Sequence, residues 1–182
     1  MMKFSIVLLA PLAAWVLKRA RRDYETRGQL STKAYTAGWI LYLTHLFTTG
    51  LTALRSTRTL PLHRKPSMVL GGFLVLFGGW FFAAAVREFR SFEKMSGTET
   101  GDLVKSGPYR YSRNPQILGW GLALLGASIA GRSTRALLFT TAFFLVHRLY
   151  FISEEQHLER TFGDEYRRYR SQAPRFLGFP NG

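Results

Sequence analysis

The stretch GPYRYSRNPQILGWG, Gly107 to Gly121, changes character at its centre. Two arginines, two tyrosines and two prolines fall between Gly107 and Pro115, and from Ile117 the next fourteen residues carry no charge. Asn114 followed by Pro115 marks a helix start, because Asn caps helices and proline is tolerated at the first helical position. A helix that starts in a basic, aromatic turn and continues uncharged passes from a watery boundary into an apolar medium.

The rest of the chain repeats the pattern. Ala34 to Leu54 and Ser67 to Val86 are runs of 21 and 20 residues without Asp, Glu, Lys or Arg. At about 1.5 Å per residue each reaches the roughly 30 Å of a hydrocarbon core. The runs Gln116 to Gly131 and Ala136 to Ile152 are shorter and separated only by Arg132 to Arg135. They are expected to form a tight antiparallel helical hairpin that spans with help from its flanks. Phe4 to Leu17 is followed at once by Lys18, Arg19, Arg21 and Arg22, with no small-x-small cleavage site. It reads as a first transmembrane helix with snorkelling ends rather than a signal peptide. The expected fold is an all-α, polytopic membrane helical bundle of about five transmembrane helices.

Lys and Arg set the orientation. The loop 18–33, the loop 87–115 and the tail after 153 hold 17, and the opposite side holds 7. The richer side is expected to be cytoplasmic, with the N-terminus outside and the C-terminal region inside. A net charge of +14 raises the question of nucleic acid. These arginines flank apolar runs and form neither a stripe nor a known nucleic-acid module, so no nucleic-acid partner is expected. The absence of cysteine excludes disulfides and thiolate chemistry, and His45, His63, His147 and His157 lack zinc-type spacing, so no metal site is expected.

No linker or repeat divides the chain. Residues 1–86 are expected to supply three helices with little chemical content, and residues 87–182 a catalytic region of loop, hairpin and C-terminal amphipathic helix. Gly71, Gly72, Gly78, Gly79, Gly119, Gly121 and Gly126 suit close helix packing. Gly119-Trp120-Gly121 follows no strand and fits no phosphate-binding loop.

Three clusters carry candidate chemistry. The helix N-terminus at Asn114 presents free N–H groups and a positive partial charge behind Arg110 and Arg113, an arrangement that favours a carboxylate or phosphate. At the end of the fifth helix, residues seven apart share a face, aligning His147 with Glu154 and Arg148 with Glu155. A short hairpin brings these two ends together, so a pocket with a positive and a negative wall would suit a zwitterion with one carboxylate and one ammonium. Third, Phe162-Gly-Asp-Glu-Tyr166-Arg-Arg-Tyr169, closed by Pro174, reads as a short amphipathic helix with a basic face suited to anionic headgroups.

Taken in order, Leu103-Val-Lys-Ser-Gly-Pro-Tyr-Arg-Tyr-Ser-Arg-Asn-Pro115, the hairpin, then Glu154-Glu155-x-x-Leu158-x-x-x-Phe162-Gly163-x-x-Tyr166-x-x-Tyr169 and Pro174 resemble a known family. This is the family of integral-membrane methyltransferases typified by isoprenylcysteine carboxyl methyltransferase, with phospholipid N-methyltransferases as relatives. The resemblance covers about residues 100 to 177. It implies S-adenosylmethionine as cofactor, bound on the cytosolic side by the loop before the fourth helix and by the C-terminal segment. Carried over by position, cofactor contacts fall at Gly101, Asp102, Leu103, Val104, Tyr109, Arg113, Asn114, Pro115, Gln116, Ile117 and Glu154, with Tyr109 or Tyr111 facing the sulfonium. Two departures from the pattern involve three positions. Asn114 and Ile117 stand where the family commonly has His and Tyr, and Tyr150 stands where the carboxyl methyltransferases place a substrate-facing arginine.

Methyl transfer from a sulfonium is an in-line displacement that gains from positioning and desolvation. A carboxylate acceptor needs no base, whereas an amine or phenol does, and Arg148, Glu155 and His147 are the candidate catalytic residues. The acceptor is expected to be a lipophilic small molecule or prenylated substrate, isoprenylcysteine carboxylate-like or a lipid amine, entering laterally from the bilayer. Two alternatives remain open: an NADPH-dependent membrane reductase of the sterol-reductase type, and a non-catalytic membrane scaffold.

Overall fold

The computed structural model describes residues 2–55, 59–89, 98 and 101–180, with side chains described from Leu9 onward. The expected loop 87–115 therefore lies partly outside the described residues, including its Arg90 and Lys94. Six α-helices and no strand are present among the described residues: α1 Met2–Arg27, α2 Thr32–Leu54, α3 Arg64–Arg87, α4 Pro115–Ala130, α5 Thr134–Phe162 and α6 Asp164–Gln172. A 3-10 turn, Gly107–Arg110, precedes α4. This is the expected helical membrane bundle.

The helices differ from expectation in their ends. α1 continues through the basic cluster, so Lys18 to Arg27 are helical and not a loop. Arg19 pairs with Asp23 at 3.1 Å and Arg21 with Glu25 at 2.9 Å, each one helical turn apart, and long unbranched side chains sustain helix. α5 likewise runs beyond its apolar part, which ends at Ile152, to Gly163, where φ of +52° breaks the chain into α6.

Among the described residues, α3 and α5 are long and apolar enough to cross a membrane, and α4 is a shorter apolar helix. Val69, Phe73, Leu76 and Trp80 on α3 are between 61% and 76% exposed. So much contiguous apolar surface suits lipid rather than water. α2 carries more polar groups, among them Tyr35, Tyr42 and His45, and these turn inward to line a cavity.

α3 and α4 lie backbone against backbone. A Cβ on Gly78 would sit 2.5 Å from the Gly119 carbonyl oxygen, and one on Gly71 would sit 2.5 Å from the Gly126 carbonyl oxygen. Each helix therefore presents two glycines seven residues apart to the other. Gly121 opposes the Phe144 ring, whereas Gly72 and Gly79 meet nothing within 4 Å. The packing expectation thus holds for five of the seven glycines.

The hairpin forms as expected. Ser133 caps α5 by accepting from the Ala136 N–H at 3.1 Å, and its hydroxyl donates to the Thr52 carbonyl at 2.9 Å. The Leu60 N–H donates to the Arg132 carbonyl at 2.6 Å, which ties the α2–α3 connection to this turn. The opposite ends of α4 and α5 accordingly lie together.

Over those ends folds the C-terminal segment. Tyr166 and Tyr169 of α6 are buried with Tyr109, Ala85 and Ala173 in a small core. The Tyr169 hydroxyl donates to the Tyr109 carbonyl at 2.9 Å, the Arg113 N–H to the Pro174 carbonyl at 2.8 Å, and the Gly178 N–H to the Tyr111 carbonyl at 3.0 Å. Glu155 closes the arrangement, accepting from Arg113 at 2.8 Å and from Arg175 through both carboxylate oxygens, at 2.9 and 2.6 Å. The basic side chains of α6 are exposed, while its two tyrosines are buried.

Two substitution series test this packing by thermal midpoint in detergent. Gly78→Ala is expected to cost about 1–3 kcal/mol, because the added carbon meets backbone that cannot swing aside, while Gly72→Ala stays within ~0.5 kcal/mol. Glu155→Ala is expected to cost roughly 3 kcal/mol by leaving Arg113, only 11% exposed, without its counter-charge. Arg175→Ala, at a position 39% exposed, is expected to cost about 1 kcal/mol or less.

Candidate active site

A cavity of about 880 Å³ runs between α1, α2, α4 and α5 beneath the C-terminal cap. That volume lies in the upper range of sites that enclose a drug-sized ligand. It has two ends of different chemistry. One lies under the cap and is walled by the segment 101–106, the start of α4 and the end of α5. The other is walled by aromatic and aliphatic side chains of α1, α2 and α5.

Most residues singled out from the sequence meet here. Gly101, Asp102, Leu103, Val104, Tyr109, Arg113, Asn114, Gln116, Ile117 and Glu154 line the cavity, as do His147 and Glu155. Pro115 does not; it is fully buried behind them as the first residue of α4. Arg148 is exposed on the outer face of α5, and Tyr111 is 42% exposed and outside the lining. His147 and Glu154 thus share the inward face, but the expected Arg148–Glu155 alignment is not realised. Glu155 takes Arg113 and Arg175 instead, because the cap brings two guanidinium groups to it from the inside.

The turn before α4 is built differently from a simple cap. Asn114 makes no side-chain capping bond. Its amide Nδ2 donates to the Arg175 carbonyl at 3.1 Å, and the Ser112 hydroxyl accepts from the Asn114 N–H at 3.1 Å. Within the helix, Leu118 N–H is the first to bond back, to the Asn114 carbonyl at 3.0 Å. The N–H groups of Gln116 and Ile117 stay at the open, positive end of α4, beside the cavity. Arg110 is exposed and outside the cavity, and Arg113 is engaged by Glu155, so the anion-attracting end is mainly the helix itself.

Glu154 lines the same cavity. It has no hydrogen-bond or ion-pair partner among the described residues, in contrast to its neighbour Glu155. Glu154 lies beyond the apolar part of α5. Burial and the adjacent Glu155 charge push its carboxyl up to about 7. Arg113 Nε, Gln116 Nε2 and Trp120 Nε1 are buried without partners, and all three residues line the cavity. Unpaired buried polar groups of this kind are costly in a closed interior and mark a place for a polar ligand.

Several lining residues were not legible as site residues. Tyr24 of α1 shares a hydrogen bond of 2.8 Å with Tyr150 and stacks on His157 at 4.4 Å, hidden in a segment that reads as a basic cytoplasmic loop. Tyr42 of α2 lies against Trp120, Phe143 and His147. The region 1–86 therefore contributes much of the wall. Arg175, one residue past the proline that ends the helical pattern, carried a weak signal in its position; Tyr24 and Tyr42 carried none.

The cavity joins an unpaired carboxylate, a helix N-terminus and an aromatic chamber open to membrane-level helices. Comparison with curated proteins and with solved structures gave no match. Comparison with protein families gave a match to the family described as phospholipid methyltransferase over residues 66–165, which takes in α3, the turn, the hairpin and the two glutamates. On that match, spanning more than half of the sequence, the chain belongs to the phospholipid methyltransferase family.

Proposed function

We propose that the protein is an S-adenosylmethionine-dependent integral-membrane methyltransferase acting on a lipophilic acceptor. The observation that carries this is the unpaired Glu154 carboxylate lining the same cavity as the open N-terminus of α4. A carboxylate on one wall and unsatisfied N–H groups on the other match an amino-acid moiety, with its ammonium toward Glu154 and its carboxylate toward Gln116 and Ile117. The cofactor would supply an electrophilic methyl group on a sulfonium. The segment Gly101 to Val104, Tyr109 and Asn114 would hold the remainder of it, Tyr109 offering its ring face to positive charge.

The chain's own residues have defined tasks in this reading. Arg113 and Arg175 hold Glu155, which fixes the cap and excludes water from the reacting end. Exclusion of water and fixed orientation are what a displacement at carbon needs, since the leaving thioether requires no proton. The acceptor would enter from the bilayer between α1, α2 and α5, where the walls are apolar. By the Lys/Arg asymmetry, the capped end faces the cytoplasm, where a water-soluble cofactor is available.

Binding of S-adenosylhomocysteine to the purified protein, measured by calorimetry, tests the reading. Wild-type protein is expected to bind, and Glu154→Ala to lose most of the affinity; no binding by the wild type, or unchanged binding by the variant, would overturn it. If only the ionised carboxylate binds the ammonium, affinity falls about tenfold from pH 8 to pH 6 as Glu154 takes up its proton near 7. The stability effect has the opposite sense. A carboxyl raised in the folded state loses stability as pH climbs through its folded value, so Glu154→Gln is expected to raise ligand-free stability at pH 8 by at most ~3 kcal/mol, read as a higher thermal midpoint.

A further inference from the structure

The apolar end of the cavity contains two histidines whose proton positions are dictated by carbonyls on successive turns of α5. The His147 Nδ1 lies 2.8 Å from the Phe143 carbonyl, and the His45 Nε2 lies 3.0 Å from the Phe139 carbonyl. A carbonyl only accepts, so each of these nitrogens carries the hydrogen. In the neutral ring the other nitrogen of each is then a bare acceptor. For His147 that nitrogen, Nε2, receives the Tyr42 hydroxyl at 2.5 Å. For His45 it is Nδ1, which is buried and has no partner.

Tyr42 is held from three sides, with ring centroids 5.6 Å from Trp120, 6.0 Å from Phe143 and 5.4 Å from His147. Its hydroxyl hydrogen is committed to His147, so its oxygen lone pairs are what it offers to the cavity that it lines. Tyr42, His45 and His147 all line this chamber, and Arg113, the lining guanidinium, is engaged by Glu155 at the capped end. Tyr150 stands inward, hydrogen-bonded to Tyr24, and Arg148 is on the outer face. The chamber thus offers lone pairs, at Tyr42 Oη and His45 Nδ1, and no cation on its α1, α2 and α5 walls among the described residues. A carboxylate acceptor finds no counter-charge there; an acceptor with an O–H or N–H finds two places to donate.

Resting on the methyltransferase reading above, we infer that Tyr42, backed by His147, is the proton acceptor for a protic acceptor substrate, an amphiphilic amine or hydroxyl compound rather than a carboxylate. The acceptor's O–H or N–H donates to Tyr42 Oη. As the acceptor's electron pair forms the new bond to the methyl carbon, the carbon–sulfur bond breaks and its pair stays on sulfur. The acceptor's proton passes to Tyr42 Oη while the tyrosine's own proton passes to His147 Nε2. One positive charge leaves the sulfonium and one appears on the imidazole, so charge in the closed cavity is conserved. When the product leaves and water enters, Tyr42 gives a proton to that water and takes the imidazole's proton in its place, so one proton is released per methyl transferred. Tyr42 is the catalytic residue here and His147 a positioning residue behind it. The family resemblance placed neither Tyr42 nor His45 at the site, because they come from α2, outside the matched region.

Three matched probes test this: dodecylamine, 4-dodecylphenol and dodecanoate, with binding read from tryptophan fluorescence, since Trp39 and Trp120 line the cavity. At least one of the two protic probes is expected to bind about tenfold more tightly than dodecanoate, and Tyr42→Phe to weaken that binding by about tenfold. Single-turnover methyl transfer to the bound protic probe is expected to fall about a hundredfold in Tyr42→Phe. His147→Phe is expected to lower transfer while leaving probe binding nearly unchanged, a split that a merely structural role would not produce. S-Adenosylhomocysteine affinity should stay within twofold in both variants. Dodecanoate binding as tight as the protic probes, binding of neither protic probe, or Tyr42→Phe within twofold of wild type in both binding and transfer would each overturn the inference. Failure of wild-type protein to bind S-adenosylhomocysteine would instead overturn the methyltransferase reading, so the two fail separately. Should His147→Phe not fold, Tyr42→Phe, which removes a single oxygen, decides alone.

Discussion

Glu155 and its two guanidinium partners form the constraint on which the site depends. Arg113 comes from the turn before α4, Glu155 from the end of α5 and Arg175 from the segment after α6. Three stretches distant in sequence are thereby locked over one end of the bundle. A half-buried ion triad contributes little net stability, because desolvation offsets much of the attraction. Its value is geometric. By engaging Glu155 and Arg113 with each other, it removes those charges from the pocket and leaves Glu154 on the cavity wall without an ion-pair partner.

That arrangement explains why two adjacent glutamates on one helix differ so much. Glu155 gains two cationic partners and behaves as a structural ion. Glu154, one residue earlier, has no counter-charge paired with it and has its carboxyl pushed up toward neutrality. A cationic ligand group would restore the missing partner. The low-dielectric surroundings that make the unpaired group costly would make that pairing strong.

The bundle beneath serves the same end by separating its tight and open regions. α3 and α4 meet backbone to backbone through paired glycines, which leaves no room between them. α1 and α2 stand off from α4 and α5 with aromatic side chains between, and the cavity occupies that space. Close packing on one side thus fixes the start of α4, and the aromatic chamber lies on the other. The outward face of α3 is apolar and exposed, as a lipid-facing surface requires.

Much of this was legible in residue order. Runs without charge gave the helices, the short Arg132 to Arg135 connection implied the hairpin, and the hairpin implied that Asn114 and Glu154 would meet. The family resemblance implied that Gly101 to Val104 would join them, and these four residues do line the cavity. Less was legible where contacts join distant segments. Seven-residue spacing aligned Arg148 with Glu155, yet periodicity states only that two residues share a face and not which face is inside. Likewise, a helix with Tyr35, Tyr42 and His45 reads as a diluted membrane span until a neighbour shows that its polar side faces a cavity.

The sequence alone therefore determined the helices, their order, their pairing at the hairpin and the residue types available at the capped end, because these follow from local composition and short connections. Only the tertiary structure decided which charges would be neutralised and which exposed to a ligand, that Asn114 would bond the C-terminal segment instead of capping its helix, and that Tyr42 would reach His147. Those outcomes depend on side chains 20 to 105 residues apart in sequence, brought together by burial and hydrogen-bond satisfaction that no single segment contains. The stretch from Gly107 to Gly121 shows both sides: its change of character marked the start of an apolar helix, and its packing under the cap set that start on the cavity wall.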